Sequence, residues 1–141
     1  MKNKNRRKSG ESGAILVEAA FALPILALIL LCIIDLGLAI REHQILQNGA
    51  REGARVASIP PETSLANVRS TVTNYCRGEN IAVNPADVTV TPALIPLGDG
   101  LYAHGTQVTV AYTKQMLILG APILPSNTIT LRGVAVFRNL F

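Results

Sequence analysis

From Ala14 to Ile40 the chain reads AILVEAAFALPILALILLCIIDLGLAI, and Glu18 and Asp35 are its only charged residues. A helix crosses a hydrocarbon core with about 20 predominantly apolar residues. The stretch therefore predicts one membrane-spanning helix and excludes a wholly soluble globule. It divides the chain into a basic leader over 1–13, a transmembrane helix over 14–40 and an exported domain over 41–141. The leader holds Lys2, Lys4, Arg6, Arg7 and Lys8 against Glu11, while the rest of the chain balances eight basic with eight acidic side chains. All of the net charge of +4 thus sits in the leader, and the positive-inside bias places that end in the cytoplasm and residues 41–141 across the membrane. The same balance argues against a nucleic-acid partner, which needs Lys and Arg spread over a folded face. An apolar share of 49% excludes a disordered chain. An ordinary secretory signal has an apolar region of about 7 to 15 residues ending in a small-residue cleavage site, whereas this run flows on into Arg41 to Ser58.

The most specific residues lie where leader meets helix. Ser12-Gly13-Ala14-Ile15-Leu16-Val17-Glu18 places a glycine, four apolar residues and a glutamate directly after a basic leader. That order resembles the processing site of type IV prepilins, where a membrane aspartyl peptidase cuts after the glycine, here between Gly13 and Ala14. A residue without Cβ enters extended geometry cheaply, as a tight protease cleft requires. Glu18 is expensive in such a helix: a carboxylate at the bilayer centre costs about 2.5 to 3.5 kcal/mol on insertion scales and less near the interface. Its plainest account is snorkelling to the cytoplasmic headgroups. The resemblance implies a sharper one, in which Glu18 docks on the free α-amine of a neighbouring subunit. Cleavage would create that cation at Ala14, where the uncut chain has only an amide.

A narrower resemblance covers about a third of the chain. Val17-Glu18-Ala19-Ala20-Phe21-Ala22-Leu23-Pro24, the run ending at Asp35-Leu36-Gly37, and Asn48-Gly49-Ala50-Arg51-Glu52-Gly53-Ala54-Arg55 are similar to the TadE-like minor pilins, or pseudopilins, of the tight-adherence (Tad, or Flp) pilus. The pattern departs at Ala19, where tight-adherence pilins commonly carry an aromatic residue; Phe21 follows two positions later. The resemblance implies a bacterial inner-membrane protein with no cofactor. It also implies four partners: a prepilin peptidase, other pilin or pseudopilin subunits, an inner-membrane assembly platform and membrane lipid. The rival from another class is an uncleaved, signal-anchored exported binding domain that never polymerises.

Helix physics gives the shape. A single helix from Ala14 to Ser58 would be about 68 Å long at 1.5 Å per residue, more than twice a hydrocarbon core of about 30 Å. Pro24 removes one backbone hydrogen bond and predicts a kink or local melting in the membrane half. Beyond Ile40 the apolar positions become one-sided: Ile45, Leu46, Gly49, Ala50, Gly53, Ala54 and Ala57 recur at spacings of three and four. Gly49, Ala50, Gly53 and Ala54 make this a small-residue packing face, and Gly49 with Gly53 forms a GxxxG that admits a second backbone closely. The face can pack under the protein's own sheet or against another subunit's helix. Pro60-Pro61 ends the helix. A second helix is expected over Glu62 to Tyr75, with Leu65, Val68, Val72 and Tyr75 on one face and Gly78 as its terminator. Thereafter the period shifts toward two. Val88–Val90, Gln107–Tyr112 and Thr128–Leu131 through Val134–Phe137 read as strands, with a short one possible at Ile81–Val83. Helices followed by strands predict an α+β fold, with a small antiparallel sheet laid on the exported half of the first helix.

The residues for chemistry are sparse. There is no HExxH, CxxC, phosphate-binding glycine loop or GxSxG elbow, and Asp87 and Asp99 flank turns where Asp is common. These absences argue against an enzyme and give no metal ligand set. Cys32 lies in the membrane run and Cys76 in the head, so no internal disulfide is expected.

Overall fold

The computed structural model describes residues 6–59, 64–117 and 127–139. The elements run α1 (Arg6–Ala57), α2 (Leu65–Gly78), a 3-10 turn at Pro85–Asp87, β1 (Val88–Gly98), β2 (Leu101–Gln115) and β3 (Thr128–Arg138). The fold is α+β, with a long first helix, a short second one and an antiparallel sheet in the order β1-β2-β3.

Helix α1 begins at Arg6, ahead of the expected start at Ala14. Nothing in residues 6–13 stops a helix, since the segment has no proline and Gly10 and Gly13 each weaken helicity by only about 1 kcal/mol relative to Ala. The chain is helical on both sides of Pro24. At the other end, the Ser58 amide donates to the Ala54 carbonyl at 3.1 Å and its hydroxyl to the Arg55 carbonyl at 2.8 Å. Pro60-Pro61 and the expected start of the second helix at Glu62 lie outside the described residues.

Ser64 caps α2, its hydroxyl accepting the Asn67 amide at 3.2 Å. The other end differs from the sequence expectation. Gly78 is the last helical residue, and the terminator is Asn80, at φ 64°. The Asn80 amide donates to the Arg77 carbonyl at 3.0 Å and the Ile81 amide to the Cys76 carbonyl at 2.9 Å, the paired bonds by which a left-handed residue closes a helix. Asparagine tolerates that conformation better than most non-glycine residues.

Ile81 and Val83 are buried, yet their segment is irregular and pairs with no strand. Their alternation reflects two side chains plugged into the core. The observed strands are longer than expected. β1 continues through Pro92 and Pro96 to Gly98, and β2 starts at Leu101. The missing amide hydrogens are tolerated because β1 is an edge strand. The hairpin turns on Gly98, Asp99 and Gly100, all at positive φ (95°, 51° and 76°).

The core forms where three surfaces meet: Leu46, Ala50 and Ala54 of α1, Val68, Val72 and Cys76 of α2, and Val88, Val108, Val110 and Ala135 of the sheet. Register aligns the last group, with Val88 opposite Val110 and Val108 opposite both Val90 and Ala135. Gly133 fixes how closely the sheet approaches, because a Cβ there would collide with the backbone of Leu46 and Gln47.

Candidate functional site

Before Asp35 the stem stands clear of the head. From Gly13 to Ile34 its described side chains are exposed apart from Ala19 and Cys32, which are half-buried. They include Ile15, Leu16, Phe21, Leu23, Leu28 and Ile33. So much aliphatic surface is unfavourable in water, at roughly 25 cal/mol per Å², and calls for lipid or another apolar helix. α1 is long and apolar enough to cross a membrane: its most apolar 18-residue window has a mean hydropathy of 2.8 and is 11% buried.

The expected processing site is open. A Cβ built at Gly13 would meet no atom within 4 Å, so packing among the described residues gives no reason for a glycine there. Ala14 is exposed beside it. Glu18 is exposed one turn further on, and makes no ion pair with the described residues.

Asp35 is where the head takes hold. It is only 2% exposed, and its Oδ2 accepts the backbone amide of Leu117, just past β2, at 3.1 Å. Ala39 is buried one turn later. Two turns after Asp35, Glu42 Oε1 meets Lys114 Nζ at 2.6 Å with side chains 17% and 10% exposed, while Glu42 Oε2 is buried with no hydrogen-bond partner among the described residues. Gln47 then clasps the outer edge of β3: its Nε2 donates to the Val134 carbonyl at 2.6 Å, and its Oε1 accepts the Val134 amide at 3.1 Å.

The sequence reading missed this fastening. Asp35, Ala39, Glu42, Leu46, Gly49 and Gly53 recur at spacings of four, three, four, three and four on one face. Their acidic members hid the start of a stripe that the apolar residues alone place at Ile45.

The small-residue face has a partner that the reading did not weigh. A Cβ at Gly49 would lie 3.1 Å from Cys76 Sγ, and one at Gly53 would collide with Val72 and come within 3.4 Å of Val108. Ala50 and Ala54 are fully buried beside them. The close approach is to the chain's own α2, with the sheet alongside, so these residues are covered and not open to another subunit's helix. Burial pushes the Cys76 thiol above its ordinary pKa, which keeps it protonated and unreactive. Cys32 and Cys76 are both free. Among the described residues, no three His, Cys, Asp or Glu side chains converge as metal ligands would.

The family comparison selects this same helix. The family model described as TadE-like protein matches residues 13–55, from the expected cleavage site to the last turn of the stem. This segment resembles the TadE-like family. The match covers just under a third of the chain. The comparisons with curated proteins and with solved structures return no match. The TadE-like segment contains both halves of the site: the bare stem that carries Glu18, and the fastened stem from Asp35 to Arg55.

Proposed function

We propose that the protein is a minor pilin or pseudopilin that takes part in assembling a tight-adherence pilus after prepilin-peptidase processing. The observation that carries this reading is the TadE-like match laid on a stem whose described side chains from Gly13 to Ile34 are exposed apart from Ala19 and Cys32. In this reading the chain is inserted with its leader in the cytoplasm, trimmed after Gly13, and left with Ala14 as a new cationic terminus. Glu18 lies one helical turn beyond, about 6 Å along the axis from Ala14. The terminus of a neighbouring subunit supplies the cation that this carboxylate lacks in the apolar layer, and an uncompensated charge there is costly enough to set docking register. The aliphatic surface from Ile15 to Ile34 supplies lateral packing, first against lipid and then against other stems. The head performs no chemistry of its own in this account and acts through contacts with a sister subunit and the assembly platform.

Substitution of Glu18 by Ala tests the role directly. The variant is expected to insert at the normal level and to keep a protease-resistant head, because Glu18 lies more than four turns before Asp35, the first described residue of the stem that the head buries, while surface pili fall to a small fraction of the wild-type amount. Normal piliation by Glu18→Ala would remove the proposed docking role.

A further inference from the structure

Burial of Asp35 has a consequence for what the base of the head touches. Asp35 is the one charged residue between Glu18 and Arg41, and the head hides it. The exposed surface of the stem is therefore uncharged from Ala19 through Ile40, about 33 Å at 1.5 Å per residue, which matches a hydrocarbon core of about 30 Å. Ile33, Leu36 and Ile40 are 62%, 52% and 51% exposed, so the apolar belt continues past the level at which the head begins. The first exposed charges come with Arg41, which pairs with Glu79 at 3.6 Å.

Leu117 lies within that belt. Its amide is held by Asp35, six residues or about 9 Å along the axis before Arg41, and its side chain is 79% exposed while that of Met116 is buried. The sequence carries no charge from Gln115 to Leu131. A leucine so exposed, continuous with the apolar stem and below the first charged pair, fits the acyl-chain side of a headgroup layer.

We propose that the head is seated in the membrane, with Leu117 immersed in the lipid interface as a second apolar contact beside the stem. The occupant of this surface is the bilayer itself. Asp35 makes the seat possible: its carboxylate is shielded by the head and accepts the Leu117 amide, so it does not interrupt the lipophilic surface. The inference rests on the reading of α1 as a membrane span, and the test separates the two.

The chain has no tryptophan, so single-tryptophan variants report position cleanly. Leu28→Trp, Leu117→Trp and Leu97→Trp would be placed in the full chain, at mid-stem, at the base of the head and near the tip of the β1–β2 hairpin. Each would be reconstituted in phosphatidylcholine and phosphatidylglycerol vesicles whose lipids carry bromine near the glycerol or near the chain ends. Leu117→Trp is expected to lose about half or more of its emission to bromine near the glycerol and to resist acrylamide; Leu97→Trp is expected to do the reverse. Acrylamide quenching of Leu117→Trp equal to that of Leu97→Trp would overturn the seat. Shielding from both quenchers would overturn it too, since protein and not lipid would then cover Leu117. Leu28→Trp is expected to be quenched by bromine near the chain ends. If it is not, the span fails and the seat with it; if it is while Leu117→Trp stays open to acrylamide, the seat alone fails.

Discussion

Gly133 and Gly53 set distances that no other residue could hold. At Gly133 the obstacle to a Cβ is backbone of α1, which cannot rotate away as a side chain can. Gly133→Ala is therefore expected to push β3 off the stem and destabilise the head by about 1–3 kcal/mol, the usual range for overpacking. Gly78→Ala is the control, since a Cβ there meets nothing within 4 Å. Denaturant unfolding of the full chain in detergent, followed by circular dichroism, checks both; equal midpoints would show that the Gly133 contact is not limiting. The value of Gly53 was half legible in the sequence. A GxxxG at helical spacing announces a close approach, but α2 as the partner was hidden. The second helix reads by apolarity as Leu65, Val68, Val72 and Tyr75, whereas the buried set is Val68, Val72, Thr73 and Cys76, with Leu65 and Tyr75 exposed. A tyrosine outweighs a cysteine or threonine on apolar counting, and it turned the inferred face by part of a turn.

At the scale of elements, the stem and sheet are joined by polar groups as well as by the core. The Glu42–Lys114 pair ties α1 to β2 across a largely dry contact. Removing one member of a buried pair strands the other charge, at about 3 kcal/mol, while replacing both with apolar residues of similar size is often neutral. Lys114→Met is thus expected to destabilise the head more than the double variant Glu42→Leu/Lys114→Met, a non-additivity that a double-mutant cycle measures. A double variant worse than either single one would mean that the pair adds net stability. These attachments explain which elements the sequence made visible. The long helix, the first residues of β1, the middle of β2 and most of β3 follow from periodicity. The outer parts of β1 and β2 did not, because Pro92 and Pro96 read as breakers and only the edge position makes them harmless. Ile81 and Val83 alternate as a strand would, yet they pack without pairing.

For the molecule as a whole, the division at Asp35 matters most. From Gly13 to Ile34 the stem is apolar helix with one exposed carboxylate, Glu18; beyond it the same helix is the spine of an α+β head. The TadE-like match spans both parts, from residue 13 to residue 55, and all of the chain's net charge lies in residues 1–13. In this account the basic segment serves sorting and is then discarded, and the working N-terminus is the cation that Glu18 meets in a neighbour. The most direct test is the mass of the protein extracted from membranes of cells with and without prepilin peptidase. The account predicts loss of residues 1–13 and a free α-amine on Ala14 only where the peptidase is present. A chain that keeps residues 1–13 in peptidase-competent cells would contradict it.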